Sequence, residues 1–448
     1  DAGRRRGGAA ARRRGGVGGG MIGGVVDLDD DALLDWRSKG FWIPHGSVSA
    51  AELARRRPRI FDGDFTWPLM VLRRSAAHGN IATMAAYCRR HGLDFAPHAK
   101  TTMAPGLLRA QLGAGAWGLT VATPNQALVL RRLGVPRVLL ANEVLDPVTL
   151  RWLAEQAAAG WEVYLQVDSP AGVEQARRAA AGVEQAHGWR DGDGTGHAAP
   201  GRLRILAELG APGGRTGVRT LDELDMIARA VADAGSVELA GVTAYEGMLP
   251  GRDAVDGFLD RMVDGVSRLA GAGLLPDRPL VSAGGSAWFD RVVDRFAALP
   301  AGVRVVLRSG ASVSHDDGLY RRTGAFRRIP SEGPLTAALE LWAQVLSAPE
   351  PGLALAGLGK RDAPQDEGLP VALEIRRPDG TLAPADGVTV TRMNDHHVYL
   401  TVDDGVALAP GDLVRFGISH PCTAFDRWRH IPVVDDGHHV VDVLHTYF

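Results

Sequence analysis

Only three of the 50 basic residues in this 448-residue chain are lysines: Lys39, Lys100 and Lys360. The other 47 are arginines. Lys100 lies in "DFAPHAKTTMAPG", residues 94–106, after a short β-rich run and before a helix start. A guanidinium cannot shed its proton and form an imine, whereas an amine can. A free lysine has a pKa of about 10.4 and is a poor nucleophile at neutral pH. Apolar neighbours that desolvate it would lower that value and activate it. A solvated loop lysine is the plain alternative.

A second candidate pair is His420 and Cys422 in "SHPCTAFD". Two positions apart on an extended strand, they project to one face. Imidazole with thiolate is a zinc-type pair, although a closed site needs further ligands or water. The doublets His396–His397 and His438–His439 are possible additions, with paired surface histidines as the alternative. "SAGGS" (282–286) places Gly284, Gly285 and Ser286 at a strand-to-helix turn, where backbone N–H groups suit a phosphate. A tight turn without ligand would read the same way. "GGRTG" and "LRSG" put Arg215 and Arg308 just beyond two β-rich runs, and "AYEG" adds Tyr245 and Glu246. Cys88, in "MAAYCRR", reads as a helix core residue.

The elements that must position these groups alternate. After "PLMVLR" (68–73) and a helix at 75–91, eight β-rich runs follow from residue 93 to 310. They are "LDFAPHA", "GLTVAT", "RVLLANE", "EVYLQVD", "RLRILAEL", "LAGVTAYE", "PLVSAGG" and "VRVVLRSG". Most are separated by helical patterns such as "PNQALVLRRLG" and "LDELDMIARAVADAG". This order predicts a (β/α)8 TIM-like barrel, with a doubly wound open sheet as the alternative. In a barrel, Lys100 would stand at the C-terminal mouth, where catalytic groups sit. After about residue 330 the short alternating runs punctuated by Pro and Gly predict an all-β domain. The expected divisions are a 1–20 tail, a 21–65 segment docking on the β domain, a 66–325 barrel and a 326–448 β domain carrying the metal pair.

Composition sets the limits. Residues 1–20 hold six arginines and one aspartate, +5, which leaves −7 on the rest against a total of −2. An acidic body is a poor match for nucleic acid, and the short Arg/Gly tail has no interleaved aromatics. That tail reads as low-complexity and disordered. No apolar h-region follows its arginines, so no secretory signal is expected, and no apolar run is long enough to span a membrane. Two distant cysteines give no disulfide framework, and a cytoplasmic protein is expected. The polar, Gly-rich stretch 181–200 reads as a surface insertion.

"PHAKT", "GGRTG", "AYEG", "SAGGS", "LRSG" and a late "HPC", in that order, resemble the pyridoxal 5′-phosphate (PLP) enzymes of fold type III, the alanine-racemase-like barrels. Within these, residues 35–448 resemble the branch of D-serine dehydratases, D-threonine aldolases and amino acid deaminases. The resemblance implies that Lys100 carries PLP as an imine. Gly284, Gly285 and Ser286 would hold the phosphate with Tyr245 nearby. Arg215 and Arg308 would approach the cofactor, Arg308 facing the pyridine nitrogen, and His420 and Cys422 would bind Zn2+ or another divalent metal. A His-x-Cys pair resembles the dehydratases, whereas the aldolases carry His-x-Asp. The implied activity is dehydration and deamination of a D-β-hydroxy amino acid by a homodimer, without nucleic acid or membrane partners. The rival implications are an aldolase releasing glycine and an aldehyde, and a racemase or non-catalytic PLP-binding protein. Two stretches depart from the family pattern: "KTTMAPG" lacks a second lysine or histidine, and 357–370 differs. A larger substrate such as D-glucosaminate would fit those departures.

Overall fold

A computed structural model describes residues 32–187 and 201–448. The expected tail 1–20, residues 21–31 and most of the insertion 181–200 lie outside the described residues.

Eight parallel strands form the barrel. In chain order they are Asp94–Phe95, Leu119–Val121, Arg137–Glu143, Glu162–Val167, Leu203–Leu209, Val237–Ala244, Leu280–Ala283 and Arg304–Leu307. The last strand pairs with the first, and a parallel bridge between His98 and Thr120 joins the first to the second. Alternation decides which side chains face inward. Leu139, Tyr164 and Leu206 fill the interior with Ala96, Ala240, Leu280 and Val306. Their chain neighbours Val138, Leu140, Val163, Leu165, Ile205 and Ala207 pack outward against the helices.

Two residues further along, towards the strands' C-terminal ends, the inward positions turn polar. His98, Gln166, Glu208, Ser282 and Arg308 stand there, one pleat beyond Ala96, Tyr164, Leu206, Leu280 and Val306. Gln166 donates to Thr243 (3.1 Å), Thr243 to the Ser282 carbonyl (3.2 Å) and Ser282 to the Val306 carbonyl (3.0 Å). The interior therefore passes from an apolar plug to a polar mouth, which is the face that can hold a charged ligand.

The helices between follow local chemistry. Leu221–Asp233 opens on a capping box, in which Thr220 accepts from the Glu223 amide and Glu223 reaches back to the Thr220 amide. Pro124–Arg132 starts with proline at its first position and Thr123 as its cap.

The second sheet is antiparallel around strand Leu339–Glu350, which pairs with Leu353–Ala356, Leu413–Gly417 and Leu69–Arg73. "PLMVLR" thus belongs to the β domain, which corrects the expected 66–325 bounds of the barrel. Its residues 69–72 are buried on both faces. Met70 and Leu72 join the β-domain core, while Leu69 and Val71 are covered by Leu34, Phe41, Ile60 and Phe65 of the N-terminal segment. A strand buried on both faces shows no alternation, so its pattern cannot distinguish a barrel strand from this one. No helix among the described residues is long and apolar enough to cross a membrane.

Candidate active site

Lys100 sits in the single 3-10 turn Ala99–Thr101 that follows the first barrel strand. The turn is pinned from below. A Cβ on Gly310 would lie 2.6 Å from the Cβ of His98, so only glycine lets the last strand's exit pass this close. Burial lowers the Lys100 amine's pKa; the Cys422 sulfur opposes the shift, and the Arg215 and Arg308 guanidiniums add to it. His98, half-buried beside it, is held well below the usual imidazole range by desolvation and then by Lys100, Arg308 and Arg215. Its Nδ1 has no hydrogen-bond partner.

Arg215 reaches the mouth on the loop after Leu203–Leu209, with its guanidinium 4.5 Å above the Tyr245 ring. Asp168 fixes that loop by accepting from the Gly217 amide at 2.8 Å. Arg308 is buried and donates to the Ala244 carbonyl. Among the described residues, neither arginine lies within ion-pair distance of a carboxylate; Glu246 and Glu208 act on Arg308 only at longer range.

At the late glycine turn the structure revises the expected phosphate donors. Glu246 is wholly buried and accepts from the Gly284 amide (3.1 Å) and the Gly285 amide (2.6 Å). A buried carboxylate needs donors, and it takes both. The donors that remain are Ser286, whose hydroxyl lies 3.0 Å from that of Ser309, and the Ala311 amide, which points at Ser286 at 3.3 Å. Tyr320 also bonds to Ser286, and burial, followed by Cys422, raises its phenol's pKa. A cavity of about 280 Å3 opens beside Ser286, Ser309 and Tyr320.

The β domain supplies the other wall. His420 has extended backbone, and Pro421–Thr423 forms a 3-10 turn. The two side chains therefore meet across a turn rather than along a strand as the spacing predicted. His420 lies within hydrogen-bonding reach of Cys422, and the Cys422 sulfur lies 3.5 Å from the Thr101 hydroxyl. Thr101 is the chain neighbour of Lys100, so the His-x-Cys turn and the lysine turn face one space.

Asp366, unnoticed in the sequence, completes this wall. Its carboxylate receives His420 Nδ1 at 2.7 Å and the Thr423 hydroxyl at 2.9 Å. Burial pulls the imidazole's pKa down, but Cys422 and then Asp366 outweigh it and raise the value to about 9. The histidine doublets go elsewhere: His396 and His397 are exposed at a hairpin turn, His438 bonds to Glu340 at 2.9 Å and His439 lies against Asp435.

Among the described residues the one cluster of three or more ligand-type groups is Glu143, Asp168 and Glu208, whose oxygens lie within 4.8 Å of one another. Burial, then Asp168 and Glu208, push the Glu143 carboxyl up to about 9. It is thus protonated at neutral pH, and the cluster carries less charge than its composition implies.

The alanine racemase N-terminal domain family matches residues 73–303. That is more than half of the chain, and it decides the family. The chain belongs to this family of fold type III PLP enzymes. Residues 338–434 also match the "Putative serine dehydratase domain". The chain is 26% identical over 372 residues to the 3-hydroxy-D-aspartate aldolase of Paracoccus denitrificans (strain Pd 1222), covering 81% of this chain and 87% of that protein. Two solved structures share the fold. D-threonine aldolase from Filomicrobium marinum superposes with a TM-score of 0.70 at 23% identity, covering 86% of this chain and 95% of that one. D-threo-3-hydroxyaspartate dehydratase from Delftia sp. HT23 gives 0.64 at 23% identity, covering 85% and 97%.

The mouth of this type III barrel fits PLP. It offers an amine of lowered pKa, two arginines without an ion-pair partner among the described residues and a cluster of hydroxyls at Ser286. A doubly charged phosphate would supply the negative charge that the two arginines lack nearby and could accept from the hydroxyls at Ser286.

Proposed function

We propose that the chain is a zinc-assisted, PLP-dependent lyase that dehydrates a D-β-hydroxy amino acid and releases a keto acid and ammonia. The observation that carries this reading is the 3.5 Å approach of the Cys422 sulfur to Thr101, which sets the His420–Cys422 pair against the Lys100 turn. PLP held at Lys100, Arg215, Arg308 and Ser286 would supply an electron sink for the pair left when the α-proton departs. Zinc at His420 and Cys422 would supply a Lewis acid for the β-oxygen, a poor leaving group by itself.

The protein's own groups do the rest. Lys100, with its pKa lowered by burial and by two arginines, is the base that takes the α-proton. Tyr245 and Tyr320 stay protonated, because burial raises both phenols; they can donate hydrogen bonds and help exclude water. The water lost across the Cα–Cβ bond returns when the released enamine tautomerises and hydrolyses, so the net products are keto acid and ammonia.

A second reading, retro-aldol cleavage, has support of its own in the 26%-identical aldolase. Cys422, where the aldolase branch has aspartate, favours dehydration. Incubation with D-threonine separates the two. Dehydration yields 2-oxobutanoate and ammonia, and cleavage yields glycine and acetaldehyde. The same assay with a chelator tests the metal, since unchanged turnover would remove the role given to Cys422. D-serine and 3-hydroxy-D-aspartate extend the comparison to smaller and more acidic side chains.

A further inference from the structure

Among the described residues His420 is the imidazole within hydrogen-bonding reach of Cys422, and its usefulness as a ligand depends on which ring nitrogen is available. Asp366 decides this. An ionised carboxylate only accepts hydrogen bonds, so His420 Nδ1, 2.7 Å from Asp366 Oδ2, is the donor. Nε2 is then the ring nitrogen available to a metal, which would displace its proton, and a carboxylate on Nδ1 in this way fixes the orientation of a metal-binding histidine. The other oxygen, Oδ1, is taken by the Thr423 hydroxyl at 2.9 Å. Asp366 is thus committed on both sides to the His420 turn.

Asp366 lies on an exposed rim, so something must hold it there. Four residues earlier, Asp362 is buried and receives Lys39 Nζ at 2.7 Å. The same ammonium donates to the Arg361 carbonyl at 2.9 Å and lies 3.9 Å above the Trp428 ring. Trp428, itself buried, donates its indole N–H to the Asp362 carbonyl at 2.9 Å. The second Asp362 oxygen accepts from the Gly359 amide at 2.8 Å. The ammonium meets the ring face, the carboxylate and the carbonyl at once, using its compact charge and three donors. This accounts for a second of the rare lysines.

We propose that Asp366 is the positioning residue of the metal pair, and that Lys39, from the N-terminal segment, clamps the loop that presents it. The inference rests on the metal reading above. It is tested on the PLP-loaded protein by titrating Zn2+ against a chromophoric chelator, with cofactor absorbance and melting temperature recorded in parallel. Asp366→Ala is expected to weaken zinc about 10- to 100-fold with absorbance and melting temperature unchanged, because the side chain is exposed. Asp366→Asn, which keeps an acceptor without the charge, should fall between wild type and alanine. Lys39→Met should weaken zinc in the same direction, and adding it to Asp366→Ala should cause no further loss, since both act through one group. Should Lys39→Met fail to fold, the Asp366 variants decide the matter alone. Wild-type affinity in Asp366→Ala overturns the proposal and leaves the metal reading standing. A wild-type chain that shows no Cys422-dependent zinc binding overturns both.

Discussion

At the barrel wall of the site, Lys100, Arg215 and Arg308 bring three cations together, and neither arginine has a carboxylate within ion-pair distance among the described residues. At the β-domain wall, His420 already has Asp366 at 2.7 Å, and Asp366 already has Thr423 at 2.9 Å. Among the described residues the first wall leaves the charge of its two arginines without an ion-pair partner, which suits an anion brought in from outside. The second is hydrogen-bonded in advance, which suits the proposed role of holding a cation at fixed geometry. On the proposed function, the cation-rich wall would take the phosphate-bearing cofactor and the pre-bonded wall would take the metal. The two walls should fail separately.

The largest separation is expected from Lys100→Ala. Loss of the attachment point and the base together should reduce product formation by at least about 10^4-fold. The cofactor's protein-bound absorbance should disappear as well, while zinc binding at His420 and Cys422 survives. Loss of zinc binding in that variant would show that the two walls are one unit. Cys422→Ala is the converse. Keto acid formation should fall about 100- to 1000-fold, the scale of losing one electrostatic stabiliser of the developing charge, with cofactor absorbance retained. If glycine and aldehyde appear from D-threonine in Cys422→Asp but not in wild type, the sulfur is the element that sets the outcome.

Smaller effects test the barrel wall's supports. Gly310→Ala puts a Cβ 2.6 Å from both the Cβ and the carbonyl oxygen of His98, and the backbone there cannot swing aside. A destabilisation of about 1–3 kcal/mol is expected by denaturant unfolding. The acidic cluster gives a pH test with a definite sign. The Glu143 carboxyl rises from 4.5 to about 9 in the folded chain, so between those values the folded state holds a proton that the unfolded state has released. Stability contributed by that proton is complete below 4.5 and is lost as pH rises towards 9. Glu143→Gln keeps the shape without the titration. Its melting temperature should gain on wild type as pH goes from 6 to 8.5, and parallel melting curves would refute the assignment.

The barrel was legible because its eight strands carry the local mark of the fold: short β-rich runs, most of them separated by helical patterns with turn residues at each boundary. The boundary at residue 66 puts the strand Leu69–Arg73 on the barrel side although it pairs in the β domain, because both its faces are buried and it lacks the alternation that would identify its neighbours. Within the site, the lysine, arginine and glycine turns were visible, since each lies in a motif a few residues long. What those turns bond to was not. Glu246 was noticed as a carboxylate at a strand end, but its capture of the Gly284 and Gly285 amides, 38 and 39 positions on, depends on the barrel having closed. Asp366 is 54 residues from His420, and nothing in "KRDAPQDEG" marks one aspartate over its neighbours. The Lys39–Asp362 contact spans an even longer stretch of chain, although the scarcity of lysine had singled out Lys39 without saying why.

The account rests on Lys100 as the nitrogen that carries the cofactor, and the rarity of lysine makes the test decisive. Borohydride reduction of the PLP-loaded protein, followed by a peptide map, should place one pyridoxyl phosphate mass on the peptide containing residues 94–106. Label on Lys39 or Lys360, or no label on any of the three lysines, would contradict it.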